Sequence, residues 1–347
     1  MFRRPRGLRA GSGRAATLAV AVTAALVSGL SGTATAAPAA PAPAGGARVV
    51  SEVVRGASEI DLQVFSPSMN ATLPVTLLLP RGYANSANIP TLYALSGMDE
   101  TDDKAWTKLT DLPAFAAAHD ALVVLPPTAK GGMFSDWFAG GPRWETFNTV
   151  ELPNLIRSQF KGSARQAVMG LSLGGHAALK YAEHQPGQWA AAASFSGIPF
   201  SSAPGISALY QKSMSDVGVN PELPWGDPNA QSAVWAAQDP ATNVQNLRST
   251  AVFISASSGV PSLTGAGDPA VAQVLQNPAA ALSGAAQGSS LESAAFATSV
   301  LFAQKASASG VPVTADFPPT GVHNWPLWNQ EYKKAWPTIA AALGIPA

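Results

Sequence analysis

The chain has 347 residues, with 21 basic and 21 acidic side chains and a formal net charge of zero, so it carries no electrostatic footprint for nucleic acid. It contains no cysteine, which excludes disulfides, thiolate catalysis, a cysteine-linked lipid anchor and cysteine metal sites together. Only 12% of residues are charged while 47% are hydrophobic, a balance suited to one large buried core.

The first 36 residues read as an export signal. Arg3, Arg4, Arg6, Arg9 and Arg14 precede an apolar run from Ala15 to Leu30, and Ala34-Thr35-Ala36 fits a small-residue cleavage site. The Arg3-Arg4 pair invites a twin-arginine reading, but the residues after it favour a general secretory signal. A retained anchor is the rival, and the apolar run is short for one. Residues 37–47 are rich in Ala, Pro and Gly and read as a spacer. A secreted mature domain over residues 48–347 is therefore expected, with no later segment apolar for long enough to span a bilayer.

Within that domain, runs with strand character fall at Ile60 to Phe65, Leu73 to Leu79, Thr91 to Leu95, Leu122 to Leu125, Ala167 to Leu171, Ala191 to Phe195, Val252 to Ala256 and Val313 to Phe317. Helical patterns cover Leu112 to Ala118, Thr149 to Phe160, Ala177 to His184, Leu291 to Ser307 and Asn329 to Leu343. Residues 201–249 and 257–288 read as long irregular insertions of the kind that shape a substrate site. Early strands followed by β-α alternation predict an α/β fold: a mixed sheet, antiparallel first and parallel after, with helices on both faces.

Gly170-Leu171-Ser172-Leu173-Gly174 stands where a strand pattern turns into a helix pattern. A sharp strand-to-helix turn there exposes the serine as a nucleophile, and the glycines leave room for the backbone to bend. A serine needs a base to take its proton and an acid to orient that base. Four histidines narrow the search. His119 ends a helix, His176 lies four residues after Ser172 on the same helix, and His184 closes that helix, so capping or packing explains each. His323 sits in a loop after the last strand pattern and before the last helix, where an α/β-hydrolase presents its base in the order Ser, acid, His. Position alone leaves the acid open among Asp216, Asp227, Asp239, Asp268, Glu292 and Asp316. Asp268 follows a strand at a suitable distance and ranks slightly first, because Glu292 stands third after Ser289, the spacing of a helix-capping box.

Several blocks in one order carry a family resemblance: Phe134-Ser135-Asp136-Trp137, Trp144-Glu145-Thr146-Phe147, Glu151-Leu152-Pro153, Gly170 to Gly174, Gln238-Asp239-Pro240, and Phe317-Pro318-Pro319 through His323-Asn324-Trp325. Together they resemble the antigen 85 mycolyltransferases and the actinobacterial esterases around them, which have the α/β-hydrolase fold. The resemblance implies that Leu291-Glu292 supplies the triad acid, with Asp268 in reserve. It also implies an oxyanion hole from the amides of Leu173 and Met98. Where the mycobacterial enzymes read Leu-Asp-Gly-Leu-Arg, this chain has Leu95-Ser96-Gly97-Met98-Asp99, so Ser96 and Asp99 mark a changed substrate end, and Trp325 matches a tryptophan beside the histidine.

The resulting expectation is a secreted or envelope-associated serine acyltransferase acting on a lipid ester and a sugar or other alcohol acceptor. A secreted carboxylesterase is the alternative, and a non-catalytic envelope-binding protein on the same scaffold is a third reading. No cofactor and no metal are expected, since no H-E-x-x-H or comparable cluster occurs.

Overall fold

The computed structural model describes residues 46–100, 103–261 and 278–347, with side chains from 290 onward in the last stretch. The segment read as export signal and residues 37–45 of the spacer lie outside these residues, as does Asp268. Nine strands form one sheet: β1 (Arg48–Arg55), β2 (Glu59–Ser66), β3 (Ala71–Leu78), β4 (Ile89–Leu95), β5 (Leu122–Leu125), β6 (Gly162–Leu171), β7 (Trp189–Phe195), β8 (Ala251–Ser255) and β9 (Val313–Asp316). Their spatial order is β1-β2-β3-β5-β4-β6-β7-β8-β9. The first three strands and β5 pair antiparallel, and β5 through β9 run parallel. This is the α/β-hydrolase fold expected from the sequence.

The central strands are buried on both faces, which is why they read as continuous apolar runs. Alternate residues still divide between two cores. Tyr93, Leu95, Leu122, Val124 and Val168 enter one, while Leu92, Ala94, Val123, Leu125 and Met169 enter the other. By contrast, β1 shows no sequence signal because it lies at the sheet edge with Val50, Val53 and Val54 exposed. No buried face imposes an alternation on it.

The α-helices are α1 (Ala105–Leu109), α2 (Leu112–Ala118), α3 (Trp144–Thr146), α4 (Leu152–Gln159), α5 (Leu173–His184), α6 (Ile206–Asp216), α7 (Glu222–Trp225), α8 (Ser232–Ala237), α9 (Pro278–Ala308) and α10 (Trp325–Leu343). Two expectations need correction. Residues 201–249 are not irregular, since they hold α6, α7, α8 and a 3-10 turn at Val244–Ser249; α6 buries only Tyr210 and Met214, too little to print a helical period on the sequence. The helix expected from Leu291 starts at Pro278, so Glu292 is inside it and has no capping role.

α10 carries the loop of His323 into the second core. The Asn324 side chain caps it by accepting the Leu327 N–H at 3.2 Å. Trp328, Tyr332, Trp336, Ile339 and Leu343 then bury one face of the helix against the sheet. Among the described residues no helix is long and apolar enough to cross a membrane.

Candidate active site

Ser172 follows the last residue of β6 and precedes the first of α5, with φ 52° and ψ −123°. Such a conformation is uncommon outside glycine and stores strain. It is held because the Ser172 N–H donates to Phe195 O at 2.8 Å and the Gly175 and His176 N–H groups donate to Ser172 O. The flanking glycines are required by space. A Cβ on Gly174 would lie 2.5 Å from Ser96 O and 2.6 Å from Leu95 O, and one on Gly170 would collide with the Gly174 carbonyl.

The structure brings His323 and Glu292 to this serine. His323 Nε2 lies 2.8 Å from Ser172 Oγ, and His323 Nδ1 lies 2.9 Å from Glu292 Oε2. With the Nδ1–H donated to the carboxylate, Nε2 is left to accept the serine proton. Glu292 is fully buried, and its second oxygen, Oε1, accepts from Ser196 Oγ at 2.9 Å, Ser257 N at 2.7 Å and Ser257 Oγ at 3.1 Å. A buried carboxylate needs this degree of hydrogen bonding to replace its lost hydration.

Ser172, Met98, Leu173 and Trp325 line a cavity of about 460 Å³, together with apolar side chains such as Ile198 and Leu209. Leu173 is the first residue of α5, so its backbone stands beside the nucleophile at the positive end of a helix. Asp99 lines the cavity and is exposed, whereas Ser96 is buried and is not part of the wall. Its position beneath Gly174 explains this: the space at the elbow is taken by the Ser96 backbone. Glu100 and Asp216 join Asp99 on the wall, and among the described residues no lysine or arginine does. The ring against His323 is that of Trp328, edge-on at 5.0 Å, while Trp325 packs edge-on against Trp106 at 5.5 Å. Ser196, Ser257 and Trp328, which contact Glu292, His323 or each other, were not singled out in the sequence reading. The available signal for Ser196 was its place at the carboxyl end of the parallel strand beside the nucleophile strand. Among the described residues no group of three or more His, Asp or Glu is arranged to hold a metal ion.

Comparison with known proteins gives this site a family. The Esterase family matches residues 66–339, which spans the elbow, Glu292 and His323. The chain is a member of the Esterase family. Diacylglycerol acyltransferase/mycolyltransferase Ag85A of Mycobacterium tuberculosis is 29% identical over 93% of this chain and 90% of its own. The Ag85B protein of Mycolicibacterium smegmatis, named in the same way, is 28% identical over 82% of this chain and 85% of its own. Among solved structures, Mycobacterium tuberculosis MPT51 aligns with a TM-score of 0.68 at 24% identity, covering 83% of this chain and all of that one. An S-formylglutathione hydrolase from Agrobacterium tumefaciens aligns with a TM-score of 0.62 at 17% identity, covering 85% and 99%. This Esterase-family chain is thus an enzyme of the acyltransferase and esterase kind.

Three of the sequence blocks quoted above meet at Lys180 on the nucleophile helix of this Esterase-family chain. Lys180, on the buried side of α5, donates to Phe134 O at 2.8 Å and to Gln238 Oε1 at 2.9 Å, and pairs with Glu145 Oε2 at 3.2 Å. His184 Nδ1 lies 2.6 Å from Glu145 Oε1, and Nε2 2.7 Å from Ala237 O. Burial pushes the Glu145 carboxyl up, but Lys180 and His184 together outweigh it and bring it down to about 2. Burial also lowers Lys180, against the pull of Glu145. His184 is raised, since burial is outweighed by its hydrogen bond and charge contact with Glu145. His176 is fully buried against Tyr210 and Trp225, and burial lowers it to about 3. It is a neutral packing residue, as its place on the helix suggested. His119 stacks on Phe115 at 4.0 Å at the end of α2.

Proposed function

We propose that this chain is a secreted serine acyltransferase of the mycolyltransferase type, working through an acyl-enzyme on Ser172. The carrying observation is the unbroken hydrogen-bond chain from Ser172 through His323 to buried Glu292, opening on a largely apolar cavity. Ser172 Oγ attacks the ester carbonyl carbon while His323 Nε2 takes its proton. Glu292 keeps the imidazole in the required tautomer and stabilises its charged form. The amides of Leu173 and Met98 receive the oxyanion. When the tetrahedral intermediate collapses, His323 returns the proton to the departing alcohol, leaving the acyl group on Ser172. A second alcohol then gives its proton to His323 and attacks the acyl carbon; as the bond to Ser172 Oγ breaks, His323 returns that proton to the serine and the enzyme is regenerated.

The named activity of the Ag85A and Ag85B relatives supports transfer to an alcohol, and the amino-terminal pattern of basic, apolar and small residues supports secretion to the envelope. We place the acyl chain against Ile198 and Leu209 and the acceptor, trehalose or another envelope alcohol, toward Asp99 and Trp325. A second reading, hydrolysis by a secreted carboxylesterase, is favoured by the exposure of Asp99 on the cavity wall, since a site open to solvent admits water as the acceptor. Incubation with a trehalose monoester and labelled trehalose separates the two. A labelled diester supports transfer; free acid as the sole product overturns it in favour of hydrolysis.

A further inference from the structure

We propose that Ser196 is a positioning residue for this chemistry, fixing the Glu292 carboxylate and, through Trp328, the face of His323; the proposal rests on the reading of Ser172, His323 and Glu292 given above. The residue is buried, 1% exposed, and its hydroxyl makes two hydrogen bonds. Trp328 Nε1 lies 3.0 Å from Ser196 Oγ, which lies 2.9 Å from Glu292 Oε1. An indole N–H can only donate. The Ser196 oxygen therefore accepts from Trp328, and its single hydrogen is directed to Glu292. The direction of this short relay follows from chemistry alone.

Three donors on Oε1, from Ser196 and from the backbone and hydroxyl of Ser257, leave Oε2 for His323. The carboxylate is thereby prevented from rotating to offer its other oxygen. The same Trp328 that donates to Ser196 sets its ring edge-on to His323 at 5.0 Å, so one hydroxyl ties the acid and the base to each other from opposite sides. Ser196 is aimed by its backbone. Its φ is 51°, and its N–H donates to Ser255 O at 2.7 Å across the end of the sheet. Glycine would adopt this conformation without strain but would bring no hydroxyl.

A group that positions the base should matter most when the base must later hand a proton to a poor leaving group. An alkyl ester requires that proton, whereas p-nitrophenolate leaves without it. The test compares kcat/KM for an alkyl and a p-nitrophenyl ester of one acyl chain, per active serine titrated with an organophosphonate. Ser196→Ala is expected to lower the alkyl value about tenfold and the p-nitrophenyl value no more than about threefold. Ser196→Gly, which suits the positive φ, should repeat the pattern and guards against a folding failure of the alanine variant. Trp328→Phe keeps a ring beside His323 but cuts its tie to Ser196, so its alkyl value should again fall more than its p-nitrophenyl value; equal losses would remove Trp328 from the positioning role. Equal losses on both esters in the Ser196 variants, or values within twofold of the parent, overturn the positioning role. Failure of the parent protein to titrate would overturn the nucleophile reading instead, so the two failures are distinct.

Discussion

Ser172 and Ser196 occupy matching positions at the ends of the neighbouring parallel strands β6 and β7, with φ 52° and 51°. The strand end that supplies Phe195 O to the Ser172 N–H is the one that turns Ser196 toward Glu292. Two left-handed serines on adjacent strands thus point one hydroxyl at the cavity and the other at the acid. Each is held in this conformation by a hydrogen bond from its own N–H, to Phe195 O and Ser255 O respectively.

The elbow depends on the absence of a side chain at Gly174. Gly174→Ala would place a methyl group 2.5 Å from Ser96 O, on backbone that cannot swing aside. We expect a stability loss of about 1–3 kcal/mol and, because the displaced loop carries Met98, a drop in kcat of about a hundredfold. Thermal unfolding and ester turnover check both. Wild-type turnover with lowered stability would separate the elbow from the oxyanion loop.

The assignment of the acid is tested by a pair of substitutions. Glu292→Gln preserves shape but loses the charge that stabilises the imidazolium, and kcat/KM should fall about a thousandfold or more. Asp268→Asn, outside the described residues, should stay within about twofold of the parent. The reverse ranking would move the acid to Asp268.

Stability should peak near neutral pH. Glu145 is lowered from 4.5 to about 2 in the folded chain, so its contribution is complete above 4.5 and is lost as pH falls toward 2. His176 is lowered from 6.5 to about 3; the unfolded chain binds that proton first, so stability also declines as pH falls below 6.5. His184 is raised, and its contribution, full below 6.5, is lost as pH rises through its folded value. Urea midpoints across pH 4 to 9 should show both limbs, and His176→Phe should flatten the decline between pH 6.5 and 5. A flat profile in the parent contradicts these assignments.

The Glu145 cluster also predicts a strong effect from one cation. Lys180→Met leaves the Glu145 carboxylate, 16% exposed, without its fully buried lysine partner, a change that costs up to about 3–5 kcal/mol. Urea unfolding at pH 7 measures it. A loss below about 1 kcal/mol would show that Glu145 reaches solvent when Lys180 is absent.

Asp99 is expected to govern charge selectivity at the cavity mouth. Asp99→Arg should raise turnover of an anionic ester about fivefold relative to a neutral one at low salt, with the difference fading as ionic strength rises. An unchanged ratio would remove Asp99 from the substrate path.

Much of the fold was legible because the inner strands are buried on both faces. Val168, Met169 and Leu171 read as a strand and are one. Leu122–Leu125 was found with its boundaries intact. β1 was not, since its exposed valines obey no buried pattern. Ser172 and His323 were legible from strand, turn and loop order, and the structure places them in contact. Glu292 needed the family resemblance, because local reasoning ranks Asp268 slightly ahead and reads Glu292, at capping distance from Ser289, as a helix cap. Ser257 and Trp328 were invisible for a different reason, and Ser196 carried only its place at a strand end as a signal. Each is an ordinary residue whose role arises only when β7, β8 and α10 come together around one carboxylate.

The central claim is that Ser172 carries the acyl group. Intact-protein and peptide mass spectrometry after reaction with a fluorescent alkyl phosphonate tests it most directly. One adduct per chain is expected, on the peptide containing Ser172, with none in Ser172→Ala. Labelling at another residue, or an unlabelled folded parent that still turns over esters, would contradict the claim.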